Sequence, residues 1–150
     1  MSRYWALAGF IALTLGGGTL VGLVSVPGEW YAGLAKPWFN PPNWVFGPAW
    51  TVLYVLIAIA GWRIWLLPQR GAAMMLWWLQ LALNFAWTPI FFLAHQLGLA
   101  LVVVCLILLL SLGFVATAWH KDRPAALLFV PYVLWTAFAS LLNASVWWLN

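Results

Sequence analysis

Trp50, Trp87 and Trp135 have the most chemistry to offer in this sequence. An indole brings a flat face that stacks on other flat rings and one N–H donor. Amides and hydroxyls surround these residues at helical spacing. Gln80, Asn84 and Thr88 repeat at i, i+4 and i+8, while Trp135, Ala139 and Asn143 share a second face. Tyr54 stands one turn from Trp50. Such a set holds a flat apolar ring and orients it with a few hydrogen bonds.

The elements that must carry these residues are set by composition. Of 150 residues, 67% are hydrophobic and 5% charged. A soluble domain is about 45–50% apolar and about 25% charged. A fold this small cannot hide so much apolar surface from water. An ordinary soluble enzyme, a disordered chain and a nucleic-acid-binding module are therefore excluded. The net charge of +4 comes from scattered basic residues that form no stripe for a phosphate backbone. The single cysteine, Cys105, excludes an intramolecular disulfide and reads as inert packing. The chain reads as an integral, multi-pass membrane protein of a bacterial or mitochondrial membrane.

Charges divide the chain into spans of roughly 20 residues, the length that crosses a bilayer core as helix. Five transmembrane helices are expected, at about 5–26, 45–66, 72–93, 99–119 and 124–148, making an all-α bundle over 1–150. The first run is too long for a signal peptide and Ser25-Val26-Pro27 is a poor cleavage site, so it reads as a retained span. A turn is expected at 94–98, where polar residues meet Gly98. Pro124 suits a first helical turn. Five spans put Arg3, Arg63, Arg70, Lys121 and Arg123 on one side and Lys36 alone on the other, which in a bacterial inner membrane places the N-terminus in the cytoplasm and the C-terminus outside.

Only the first connection is long. Pro27, Pro37, Pro41 and Pro42 stiffen it, and Trp30, Trp38 and Trp44 give it apolar surface to bury. It reads as an ordered lid with a short helix near 28–34; the alternative is an interfacial loop with indoles at headgroup depth. The remaining tryptophans divide by position. Trp5, Trp62, Trp65, Trp119, Trp147 and Trp148 fall at span ends, where indoles prefer the interface. Trp77 and Trp78 read as belt or lipid-facing residues. Trp50, Trp87 and Trp135 lie within spans, where each N–H needs a partner.

Spans three and five run parallel, so their second halves share the outer leaflet with the start of span two. Trp50, Tyr54, Asn84, Trp87, Thr88, Trp135, Ala139 and Asn143 thus converge beneath the lid. Two readings compete: amides that glue helices together, each worth on the order of 0.6 kcal/mol, or the walls of a ligand cavity. The convergence of the set favours the cavity. Pro48 and Pro89 free backbone carbonyls and can widen a bundle. Gly18 with Gly22, and Ala12 with Gly16, suit either internal packing or a homodimer face.

Other chemistry is missing. No span carries a charge in its interior, which argues against proton relays and ion coupling. There is no internal repeat of the secondary-transporter kind. There is no phosphate loop, no Ser/His/Asp set and no carboxylate pair, since Glu29 and Asp122 fall on opposite sides. His95 and His120 also fall on opposite sides, so no shared metal and no cofactor is expected. A flat, metal-free aromatic ligand fits the side chains better than a haem clamped by two axial ligands.

Four segments resemble one known family: 27–31 (PGEWY), 36–54 (KPWFNPPNWVFGPAWTVLY), 80–92 (QLALNFAWTPIFF) and 131–143 (PYVLWTAFASLLN). They are similar to the tryptophan-rich sensory protein and translocator protein (peripheral benzodiazepine receptor) family. The resemblance implies a five-helix bundle, often a homodimer, that binds porphyrins such as protoporphyrin IX. In animal members it also implies cholesterol and benzodiazepine-type ligands. It maps the family's cavity residues onto Trp50, Asn84 and Trp135, with Ala139 and Asn143 beside them and Trp30 and Tyr31 in the lid. Lys36 and Trp38 belong to the same lid, and Lys36 is the expected partner of porphyrin propionates. One departure stands out: 140–150 lacks the Tyr followed by Lys or Arg that animal members carry in a cholesterol-associated pattern. That favours a bacterial-type porphyrin binder. Three functions follow as expectations: a receptor or carrier for tetrapyrroles, a light-dependent porphyrin-degrading enzyme using Trp50 and Trp135, or a membrane scaffold.

Overall fold

The computed structural model describes residues 2–150. Long apolar runs in a medium without water must satisfy their own backbone groups, and the helix does so within one segment. Five helices here are long and apolar enough to cross a membrane. They are α1 (Ser2–Val24), α3 (Asn43–Trp65), α4 (Gly71–Phe92), α5 (Leu97–Trp119) and α6 (Arg123–Leu149), with the short α2 (Gly28–Ala32) in the first connection. The bounds lie within three residues of those expected from charge spacing. In the middle of α1, Ala12–Gly16 forms a π-helical turn that no sequence pattern announces. There Thr14, fully buried, donates its hydroxyl to the Tyr54 carbonyl at 2.8 Å.

The helices alternate in direction, so charged residues collect at one end. Arg63 grips Asp122 through two bonds of 2.7 and 3.0 Å. Lys121 Nζ donates to the Gln69 carbonyl at 3.1 Å. At the opposite end the first connection folds over the bundle. Trp30 stacks on His95 with centroids 3.9 Å apart and planes 10° from parallel. Asn150 holds the backbone of Ala35 from both sides, accepting from its N–H at 3.1 Å and donating to its carbonyl at 2.9 Å.

Three expectations need correcting. Trp77 is not at the belt: it is fully buried and donates to the Ile57 carbonyl at 2.9 Å. The reason is Gly61, whose missing side chain leaves the space that the Trp77 ring occupies. Gly98 is not a turn residue: it lies inside α5, and the Trp147 indole nitrogen would stand 3.3 Å from any Cβ there. The left-handed position of that turn is His95, with φ of 57°; His is one of the few side chains enriched in that region. Cys105 is exposed on the outer face of α5 rather than packed inside. In lipid, an apolar residue gains little by facing inward.

The Trp77–Gly61 contact yields a prediction. Gly61→Ala forces a methyl into the ring, so it should destabilise the fold by about 1–3 kcal/mol, the usual range for overpacking. Thermal unfolding in detergent measures this; an unchanged melting temperature would remove Trp77 from the core.

Candidate functional site

Beneath the lid, between α1, α3, α4 and α6, lies a cavity of about 680 Å³. Its size falls within the roughly 300–1,000 Å³ of small-molecule sites. Each wall follows from the local sequence. On α3, Phe46, Trp50 and Tyr54 stand at successive turns and present one aromatic face. On α6, Trp135, Ala139 and Asn143 do the same, with Ala139 leaving room between larger neighbours. On α4, Trp87, Thr88 and Phe91 close the side. Gly18 and Gly22 line it from α1, and Tyr31 and Asn40 from the lid. No charged side chain is among the described residues that line it.

Trp50 and Trp135 form a corner. Their centroids are 6.2 Å apart and their planes 84° from parallel. Trp50 lies over Tyr54, at 5.4 Å and 30°. Phe46 meets Trp135 edge-on at 5.9 Å. Hydrogen bonds fix this wall from behind. Tyr54 donates its hydroxyl to Asn84 Oδ1 at 2.7 Å, and Asn84 Nδ2 donates to the Tyr132 hydroxyl at 2.7 Å. One amide thereby joins α3, α4 and α6. A second chain runs alongside it: Trp87 Nε1 donates to Asn143 Oδ1 at 3.0 Å, and Asn143 Nδ2 donates to the Leu97 carbonyl at 3.0 Å. The Trp135 indole nitrogen and the Ser25 hydroxyl are buried with no hydrogen-bond partner among the described residues.

The expected residues divide by place. Trp50, Tyr54, Trp87, Thr88, Trp135, Ala139 and Asn143 all border the cavity, as does Tyr31 of the lid. Asn84 stands one layer back and borders a separate void of about 20 Å³ behind Trp50. Trp30 lies against Phe91 and His95, outside the cavity lining. Trp38 is 95% exposed and Trp44 is 74% exposed, so both point away from the bundle. Lys36 is also outside the lining: its ammonium sits 4.5 Å over the Tyr31 ring and donates to the Leu34 carbonyl at 3.2 Å. Burial raises the Tyr31 hydroxyl above the usual tyrosine range, with a smaller opposing effect from Asn40, so it stays neutral at physiological pH. No group of three metal-ligating side chains occurs among the described residues.

Tyr132, Phe46 and Asn40 were not foreseen. Periodicity points to the first two, since Phe46 is one turn before Trp50 and Tyr132 is about one turn before Trp135 and Thr136. Asn40 sits in an irregular segment and carries no such signal.

The family model described as "TspO/MBR family" matches residues 10–149, nearly the whole chain. The chain belongs to the TspO/MBR family. It is 40% identical to the "Tryptophan-rich sensory protein" of Cereibacter sphaeroides, an alignment covering 100% of this chain and 95% of that protein. It is 40% identical to "Protein CrtK" of Rhodobacter capsulatus, over 94% and 89% of the two chains. It is 41% identical to the human "Translocator protein", over 98% and 92%. This TspO/MBR protein is thus a multi-pass integral membrane protein, as its five spans require.

The Asn84 link carries the prediction here. Asn84→Leu leaves the buried Tyr132 hydroxyl without its donor, at about 1–3 kcal/mol, and frees the part-buried Tyr54 hydroxyl as well. Tyr132→Phe removes one partner only and should cost less. Thermal melts of both variants test the order; equal or reversed losses would count against the brace.

Proposed function

We propose that this TspO/MBR protein is a membrane receptor or carrier that takes a porphyrin, or a similar flat hydrophobic tetrapyrrole, into the cavity under the lid. The observation that carries this reading is the Trp50–Trp135 corner, two indoles 6.2 Å apart in an uncharged, aromatic-walled cavity. A metal-free macrocycle offers a large π-face, and stacking on indole is worth about 0.5–1.5 kcal/mol beyond area burial. The absence of charge in the described spans' interiors supports binding and release without ion coupling. In this reading Lys36 leaves the Tyr31 ring to meet a propionate at the mouth. A homodimer belongs to the same reading: Gly18 is occupied inside by the Tyr54 ring, whereas Ala12, Gly16, Leu20 and Leu23 line an open groove on the outer side of α1.

Titration of the purified protein with protoporphyrin IX, in the dark and under illumination, tests the proposal. Saturable quenching of tryptophan fluorescence is expected, weakened severalfold in Trp50→Phe and in Trp135→Phe. Lys36→Ala should lower affinity for the diacid; unchanged affinity would remove Lys36 from the site. A light-dependent product absent from both tryptophan variants would turn the reading toward porphyrin degradation. No saturable quenching would leave a scaffold.

A further inference from the structure

The cavity wall is joined from helix to helix around most of the bundle. Phe46 and Trp50 of α3 meet Trp135 of α6. Trp87 of α4 bonds to Asn143 of α6, and Asn143 bonds on to Leu97 of α5. The Phe85 ring of α4 fills the place of a side chain at Gly17 of α1. The remaining neighbours are α1 and α3. They pack together as far as Gly16, but Gly17–Val24 leans on α4 instead. At Gly18 the Tyr54 ring still takes the place of a side chain. From there toward the lid the two helices part.

Two glycines stand at this gap. Leu15, Thr19 and Gly22 share one face of α1, Gly47 and Thr51 share one face of α3, and all five border the cavity. A Cβ at Gly22 or at Gly47 would meet nothing within 4 Å, and both positions are exposed. Thr51 donates its hydroxyl to the Gly47 carbonyl at 2.8 Å, so its polar group is satisfied within the helix. Both glycines lie inside membrane spans. Trp44, about one turn before Gly47, is exposed where an indole sits at headgroup level. The gap therefore opens on the lipid of the lid-side leaflet. The way through the lid is obstructed: Tyr31 is buried against Phe91 and Phe92, and Asn150 holds Ala35 from both sides.

We propose that the gap between α1 and α3, flanked by Gly22 and Gly47, is a lateral portal through which the ligand passes between the bilayer and the cavity. The inference rests on the porphyrin reading of the cavity. A flat macrocycle dissolves in the apolar phase with its carboxylates at headgroup level, so it can slide between two helices edge first. It then reaches the Trp50–Trp135 corner without the lid lifting. Glycine on both edges keeps the passage wide.

Stopped-flow quenching of tryptophan fluorescence by protoporphyrin IX, with the protein in phosphatidylcholine nanodiscs, gives the entry rate. A chase with empty vesicles gives the release rate. A side chain in a passage raises the barrier and leaves both end states alone. Gly22→Phe and Gly47→Phe should therefore each slow entry and release about tenfold with little change in Kd. Ala and Leu at the same positions should slow both rates less, in order of size, and a wild-type Kd shows that a variant is folded. Asn150→Ala, which frees the lid from the end of α6, should leave both rates as they are. Unchanged rates across the two substitution series would overturn the portal. So would weaker binding at an unchanged entry rate, which would put the glycines in the ligand's seat. Faster entry in Asn150→Ala would overturn it too, since the route would then run through the lid. These outcomes leave the porphyrin reading standing. A wild type without saturable quenching would remove that reading and the portal with it.

Discussion

Asn84 is the residue on which the upper bundle depends. In hydrocarbon a buried amide has no water to fall back on, and this one is only 4% exposed. It meets that constraint by accepting from Tyr54 and donating to Tyr132. The two tyrosines come from α3 and α6, so a single side chain sets the spacing of three helices. Trp50 rests on Tyr54 and meets Tyr132 edge-on at 6.4 Å. The cavity wall is therefore as fixed as the hydrogen bonds behind it. Thr14 extends the same logic to α1 through the Tyr54 carbonyl.

The two ends of the molecule are built differently. At the basic end, ion pairing and Lys121–Gln69 tie the connections together. At the lid end, packing does more of this: Trp30 stacks on His95, Tyr31 is buried against Phe91 and Phe92, and Asn150 grips Ala35. The lid thus belongs to a second buried cluster, with Phe91, Ala100 and Val146, apart from the core around Trp77.

Much of this was legible in the sequence because the bilayer imposes strong rules. Charge spacing marks the five helices, and depth plus helical face brings Trp50, Trp87, Trp135 and Asn143 to one level. What stayed hidden depends on packing between distant segments. Trp77 resembles its neighbour Trp78 in every sequence property, yet one is buried and the other 47% exposed. Only the space at Gly61 on another helix decides between them. Lys36 likewise reads as a free cation, and its position over Tyr31 follows from how the lid folds back on itself. Asn84 was visible as a polar residue on the right face, but its hydrogen bonds to two tyrosines show only once α3, α4 and α6 are packed together.

The proposed resting place of a flat ligand is the corner of Trp50 and Trp135, braced through Asn84. A structure of the protein with protoporphyrin IX bound tests it most directly. The macrocycle should lie under the lid, in van der Waals contact with both indoles, with its carboxylates toward the mouth. A macrocycle seated on the outer face of α1, or anywhere that leaves Trp50 and Trp135 untouched, would contradict it.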